Sequence, residues 1–353
     1  MERLPLISVI ITVYERDKFI IQALNSVLNQ TLDNDKYEVI VVGKLENRDI
    51  IESLMRERIT FVENREKPIG LHIIDALRKA NGYIISFLDD DDLFHKDKLE
   101  IVLDTFTKDK SLGFMSHPLH IINEEGDHDS LSNTGYERVY IDKNVSTRKR
   151  DFLKAWAQGR EARYTSSTVS ILKDILIDSI EFLRQVNSSP DSFYPFASYK
   201  SKYNMLYSEK NLGDYRLSIT SLSKNISGEE NFLQHKRIYT YNFCLDYLNY
   251  RQMLKDTDLE NFIEGASIFH KIYYNIFSND KIDKRCKITI MDMIRWLTGF
   301  HDYPMRHWYV KFYPFISKMP WTVREQFIRR SYERHRKEYS YLVEKVSGLR
   351  KIQ

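Results

Sequence analysis

Four consecutive carboxylates, Asp89, Asp90, Asp91 and Asp92, close a short apolar run, Ile84 to Leu88, that reads as a buried strand. Adjacent carboxylates repel one another, so their joint ionisation calls for a cation among them. A hard divalent ion, Mg²⁺ or Mn²⁺, takes oxygen ligands and needs only one or two carboxylates when a diphosphate supplies the rest. Along an extended strand tip Asp89 and Asp91 point one way and Asp90 is turned aside. The result is Asp-x-Asp at the C-terminal end of a strand, where open α/β sheets hold their ligands. Acidic runs also occur as solvated turns or helix caps, and Asp92 is placed to cap a helix from Leu93 to Phe106. On these residues alone the two readings stand even.

The elements that must position this run precede it. Leu6 to Val13 is continuous, apolar and β-branched, as in a central parallel strand covered on both faces. Phe19, Ile20, Ala23, Leu24, Val27 and Leu28 then have the spacing of one buried helix face. Tyr37 to Val42 and Ile59 to Val62 read as further strands, with a helix between them from Arg48 to Arg58. Ile73 to Asn81 is helical by spacing, and Gly82 is expected to end it. Strands alternating with helices predict an α/β domain with a largely parallel sheet flanked by helices. No Gly-x-Gly-x-x-Gly follows the first strand, so a dinucleotide fingerprint is absent.

Composition narrows the class. A chain of 353 residues exceeds one average domain, and its net charge of +3 lacks the footprint of a nucleic-acid binder, so no nucleic-acid partner is expected. Two cysteines, Cys244 and Cys286, are too few for a disulfide scaffold and fit a reducing cytoplasm. No signal peptide opens the chain, and no apolar run approaches the roughly 18 residues of a spanning helix, so a soluble or peripheral cytoplasmic protein is expected.

Several pieces, in order, resemble the nucleotide-sugar half of a family 2 glycosyltransferase. They are Ser8 to Glu15, Ser26-Val-Leu-Asn-Gln-Thr31, Glu38 to Val42, Glu63-Asn64 followed by Gly70, and Ala80 to Asp92. Family members read "Ser-Val-x-x-Pro-Thr-Tyr-Asn", "Ser-x-x-x-Gln-Thr" and "Ala-x-Gly-x-x-x-x-Phe-Leu-Asp-x-Asp-Asp" at the corresponding places. More faintly, Tyr164 to Lys173 is similar to a "Ser-Ser-x-x-x-Arg-Arg" strand, and Leu212 to Ser223 to a "Tyr-Arg-x-His-x-x-Ser-x-Ser" segment whose histidine is Ser218 here. Asp191 falls on the aspartate of the family's "Glu-Asp" pair, with Pro190 replacing the acid before it.

The resemblance implies a GT-A type Rossmann-like mixed sheet over residues 1–224, divided into a nucleotide-sugar half at 1–106 and an acceptor half at 107–224. It implies an inverting enzyme that passes a sugar from a nucleotide-sugar donor to a hydroxyl of a glycan, lipid-linked or surface-polymer acceptor. Asp91 would hold Mn²⁺ or Mg²⁺ against the diphosphate, with Asp89 on the ribose or the metal and Asp90 and Asn64 beside the donor. Thr12, Tyr14 and Glu15 would line the base and ribose, Tyr14 by stacking and Glu15 by hydrogen bonding, against a packing residue and a helix cap as alternatives. Asp191 would be the general base, with a turn residue as its rival. Arg216 is read as a phosphate ligand or, with better odds, a surface ion pair.

One departure bears on the donor. Relatives end the second strand "Val-Val-Asp-Asp-Gly-Ser", and the first aspartate reads the base; here Gly43-Lys-Leu-Glu-Asn47 stands instead. Uridine therefore does not follow from the resemblance. A non-catalytic nucleotide-sugar-binding or assembly module is the alternative function.

Residues 225–353 read as an all-helical region. One helix near Ser227 presents Phe232, Tyr239, Phe243 and Tyr247; a second near Asp258 presents Phe262, Ile263, Ala266, Phe269, Tyr273 and Ile276. A third runs from Asp283 to Thr298, and the last begins near Trp321 with a heptad seam through Ile328, Tyr332, His335, Tyr339, Leu342, Val346 and Leu349. Trp296, Trp308, Tyr309, Phe312, Tyr313, Phe315 and Trp321, interspersed with Arg295, Arg306, Lys311, Lys318 and Arg324, suit contact with anionic lipid. A helical appendage packed on the catalytic domain is nonetheless the favoured reading of this region, and a homodimer through the heptad is a further alternative.

Overall fold

The computed structural model describes residues 5–14, 18–45, 47, 49–52, 59–64, 68–127, 136–161, 164–217, 229–279, 282–299, 301–304 and 308–347; the side chains of Tyr14, Arg160, Glu161, Trp308, His335 and residues 338–347 are outside this set. The chain divides into two compact units, one of residues 1–185 and 190–217, the other of residues 186–189 and 218–353.

The first unit is built on an eight-stranded mixed sheet in the order β3-β2-β1-β4-β9-β6-β10-β8. Its strands are β1 (Ile7–Tyr14), β2 (Tyr37–Lys44), β3 (Thr60–Glu63), β4 (Ile84–Asp89), β6 (Leu112–Ser116), β8 (Val139–Ile141), β9 (Val169–Leu172) and β10 (Asn204–Tyr207). Three short strands, β5 (Leu93–Phe94), β7 (His120–Ile122) and β11 (Gly213–Arg216), make a second sheet in the order β5-β11-β7. The first four strands of the large sheet run parallel, and β9 enters antiparallel between β4 and β6. Ile7, Val9, Ile10, Ile11 and Val13 of β1 are all buried, as its unbroken β-branched run requires when both faces are covered. Register pairs Thr12 with Asp89 across β1 and β4, and Val13 with Gly43 across β1 and β2. Three strand ends thus converge on one edge.

Helices flank the sheet. They are α1 (Ile20–Leu28), α2 (Ile69–Leu77), α3 (Lys98–Lys108), α4 (Arg148–Glu161), α5 (Lys173–Asp178), α6 (Ile180–Leu183) and α7 (Pro190–Lys200). Ile20, Ala23, Leu24 and Val27 form the buried stripe of α1 that their spacing predicts. Of the helix expected over 48–58, residues 49–52 are helical and 53–58 lie outside the described residues.

Three local expectations give way. Asp92 caps no helix: Leu93 and Phe94 pair with β11, and α3 starts only at Lys98 with Asp97 before it. Gly82 does not terminate α2, which ends at Leu77. A Cβ on Gly82 would lie 2.5 Å from the Ser8 backbone nitrogen, so glycine is there to let the chain entering β4 press against β1. Asp174 to Arg184 reads along the sequence as one helix but forms two, α5 and α6, separated at Ser179.

The second unit is helical, with α8 (Glu229–Met253), α9 (Glu260–Phe277), α10 (Ile290–Thr298), α11 (Tyr313–Lys318) and α12 (Trp321–Ser347). The third expected helix is broken, because residues Lys284–Cys286 form a 3-10 turn and α10 begins only after Thr289, which caps it in a capping box with Asp292. The cysteines are not thiols: Cys244 on α8 is bonded to Cys286 in that turn, which removes the argument for a reducing compartment. Asp246 accepts the backbone N–H groups of Asn187, Ser188 and Ser189, tying that segment to α8. On α12 Ile328 is fully buried, while the heptad positions from His335 onward lie outside the described side chains or residues.

Candidate functional site

The acidic run sits where β4 leaves the sheet, and its burial alternates. Asp90 and Asp92 are each 1% exposed, whereas Asp89 and Asp91 are half-buried. A turn folds the run back, with Asp92 N–H donating to the Asp89 carbonyl at 3.3 Å. Thr12 Oγ1 donates to Asp89 Oδ1 at 3.3 Å, as the β1–β4 register requires.

Two residues far away in sequence hold the turn. Ser167 Oγ accepts the Asp89 N–H at 3.0 Å and donates to Asp92 Oδ2 at 2.6 Å. Arg216 donates its backbone N–H to Asp92 Oδ1 at 3.0 Å and its Nε–H to the Asp91 carbonyl at 2.9 Å. The rest of the guanidinium is spent on Gln22 Oε1 and the carbonyls of Asn123 and Glu124. Arg216 is 1% exposed, so it is not a surface ion pair; it is a buried strut of the acidic turn. Such a commitment suits a side chain that fixes backbone, since a buried guanidinium must satisfy its donors.

Burial, then the charges of Asp91 and Asp89, push the Asp92 carboxyl well above the usual carboxylate range, against the bonds from Ser167 and Arg216. Lys98 is fully buried nearby; burial holds its ammonium well below its ordinary value although Asp92 favours the charge. Its Nζ donates to the Ser167 carbonyl at 2.7 Å and lies 3.5 Å from the centre of the Phe94 ring. One serine thus couples a buried lysine to the turn. The donor set at Asp89 and Asp91, hard oxygens on the two less buried carboxylates with a negative field around them, fits a divalent cation.

The other carboxylate arrives on α7. Pro190 opens that helix and Asp191 lies in its first turn, where the helix N-terminus favours an anion; Asp191 Oδ1 accepts the Ser192 N–H at 2.9 Å. Tyr194, three residues on, stacks on Phe87 of β4 with ring centres 4.3 Å apart and planes 15° from parallel. Burial, then the charges of Asp89 and Asp191, push the Tyr194 phenol well above its ordinary value.

Asn64 is 6% exposed; its N–H donates to the Gly43 carbonyl at 3.0 Å and its amide to Asp75 Oδ2 at 2.8 Å. The Tyr14 side chain, Glu15 and Ser218 lie outside the described residues. Ser167, Lys98, Gln22 and Tyr194 went unassigned from sequence. For Ser167 a signal existed, the serine pair in the Tyr164–Lys173 segment; nothing local marks the other three.

Residues 8–171 match the family "Glycosyl transferase family 2". Over 141 residues the chain is 32% identical to a chondroitin synthase of Escherichia coli, covering 38% of this chain and 20% of that protein. It is 37% identical over 134 residues to an uncharacterized glycosyltransferase of Rickettsia bellii, covering 36% of this chain and 19% of that one. A Haemophilus influenzae uncharacterized glycosyltransferase is 28% identical over 229 residues, 63% of this chain and 83% of its own length. The matched stretch thus spans 20% and 19% of the first two relatives. Among solved structures, S. aureus TarS 1-349 in complex with UDP-GlcNAc superposes with a TM-score of 0.50 at 15% identity, covering 92% of this chain and 91% of that one. That likeness concerns the fold.

Proposed function

With residues 8–171 placing this chain in glycosyl transferase family 2, we propose that it moves a sugar from a nucleotide-sugar donor to an acceptor hydroxyl, with inversion and with a divalent cation at the acidic turn. The observation that carries this reading is the Phe87–Tyr194 stack, which fastens the strand that ends in Asp89 to the helix whose first turn holds Asp191. On this reading the donor-side and acceptor-side carboxylates would serve one transfer.

Asp89 and Asp91 would hold Mn²⁺ or Mg²⁺, which when bound supplies Lewis-acid neutralisation of the departing diphosphate. The chain's own residues do the rest. Ser167 and Arg216 fix the backbone of the turn so that Asp91 faces the ligand without reorganising. Thr12 holds the Asp89 carboxylate through its hydroxyl, which would set it for the ribose or the cation. Asp191 takes the proton from the acceptor oxygen as it attacks the anomeric carbon opposite the leaving phosphate, so no covalent sugar–enzyme bond forms. Similarity to a chondroitin synthase supports a glycan hydroxyl as the acceptor.

Calorimetric titration with a panel of nucleotides and nucleotide sugars, with and without Mn²⁺, tests the donor half. Cation-dependent binding of one nucleotide class, followed by release of its sugar, is the expected result. Binding without any turnover would favour the non-catalytic module instead.

The helical unit fits peripheral contact with an anionic lipid surface. Ile290, Met291, Ile294 and Leu297 lie on one face of α10 and are 79%, 58%, 49% and 36% exposed. Lys284, Arg285 and Lys287, also exposed, directly precede that face. Of the aromatic set expected to face lipid, Trp296 and Tyr313 are buried instead; Tyr309, Phe312 and Phe315 are exposed. Sedimentation with anionic vesicles should carry the parent down and leave Ile290→Glu in the supernatant. A parent protein that stays in solution at low salt, or self-associates through this face, sinks the lipid reading.

A further inference from the structure

The small sheet brings together three metal-binding side chains that the transfer chemistry does not use. His95 directly follows β5, Asp214 lies in the central strand β11, and His120 opens β7. His95 Nε2 is 2.9 Å from Asp214 Oδ1, and His120 Nδ1 is 3.8 Å from the same oxygen. All three ligand atoms lie within 4.8 Å of one another. Four-coordinate Zn²⁺ with bonds of roughly 2.0–2.2 Å has ligand-to-ligand edges of about 3.4 Å, a value the two measured spacings bracket. From the geometry we infer that His95, His120 and Asp214 form a Zn²⁺-class transition-metal site, separate from the hard-cation site at Asp89 and Asp91.

The donor set decides the class of ion. Two imidazoles and one carboxylate suit Zn²⁺ and its tetrahedral congeners, whereas Mg²⁺ takes an all-oxygen shell. The fourth position falls to water.

Asn211 supplies the outer contacts that metal-bound histidines need. Its backbone is hydrogen-bonded to the His95 ring, while His95 Nε2 faces Asp214. Its side-chain amide is 2.8 Å from His120 Nε2. The amide nitrogen points at that ring, and the buried Asn211 Oδ1 has no partner among the described residues. Turned over, Oδ1 accepts the His120 Nε2–H and leaves the Nδ1 lone pair directed at the metal.

An ion here would bolt all three strands of the small sheet. Arg216, two residues beyond Asp214 on β11, is the strut of the acidic turn, so the ion would stiffen that support without touching donor or acceptor.

Titration of the chelator-treated full chain with Co²⁺ tests the site without recourse to activity. One equivalent should develop the intense visible absorption of tetrahedral Co²⁺, and Zn²⁺ should displace it while excess Mg²⁺ does not. His95→Gln and His120→Gln should each weaken Zn²⁺ binding at least ~10-fold, whereas Asp91→Ala should keep the Co²⁺ spectrum. A parent chain with no tetrahedral spectrum overturns the proposal whether or not the variants fold. So does a spectrum that survives in both histidine variants, or one abolished by Asp91→Ala.

Discussion

Gly43 lies so close to Val13 that a Cβ built on it would stand 2.0 Å from the Val13 carbonyl oxygen, and its φ of 138° is one that residues with side chains rarely adopt. This is the β2 position where the resemblance expects a base-reading aspartate. Gly43→Asp should therefore fail on backbone grounds before any question of donor arises. The conformation alone costs on the order of 1–3 kcal/mol, and the close contact adds to it. Urea unfolding should show a clearly lower midpoint; a variant with the parent midpoint would mean that β1 yields and that an aspartate could have been accommodated.

Asp191→Asn keeps the shape of the first turn of α7 but removes the proton acceptor. Donor affinity should change by less than about 3-fold while kcat falls on the order of 10²–10⁴-fold. Asp91→Ala should instead abolish both the Mn²⁺ dependence of donor binding and metal-dependent turnover. Paired calorimetry and single-turnover assays separate the two. Transfer at the parent rate by Asp191→Asn removes Asp191 from the base role.

His117 is 2% exposed, bonds its Nδ1 to the Pro118 carbonyl at 2.9 Å, and leaves Nε2 without a partner among the described residues. Burial, then the charge of Lys98, holds its imidazole well below its ordinary value. The unfolded chain thus takes up this proton first as pH falls. The contribution is complete above about pH 6.5 and declines by ~1.4 kcal/mol per pH unit below it, until folded His117 itself titrates. Urea midpoints measured across this range should fall more steeply for the parent than for His117→Gln. Equal slopes would remove His117 as the source.

The bond between Cys244 and Cys286 spans 42 residues and joins α8 to the turn before α10. Reduction, or Cys244→Ser, should lower stability by about 2–4 kcal/mol. Peptide mapping without reductant should recover the linked pair. Full alkylation of both thiols in native protein would show that they do not pair.

Much of this molecule is legible along the chain. Ile7 to Val13 and Ile84 to Leu88 read as buried strands, because short and mostly apolar runs, the first rich in β-branched residues, suit strands covered on both faces. The acidic run at the end of β4 and the stripe of α1 follow from local spacing in the same way. Spacing fails where a contact overrides it. Gly82 reads as a helix stop but is small because Ser8 is close, and Asp92 reads as a cap but is buried between Ser167 and Arg216.

Sequence by itself therefore determined the α/β class, the place of the carboxylates and the family they resemble, since periodicity and composition act over a few residues. Tertiary structure alone decided which carboxylates are buried and what holds them. Ser167 reaches Asp92 across 75 positions and Arg216 across 124. Burial and hydrogen bonding set how a carboxylate behaves, and both depend on neighbours that only folding supplies.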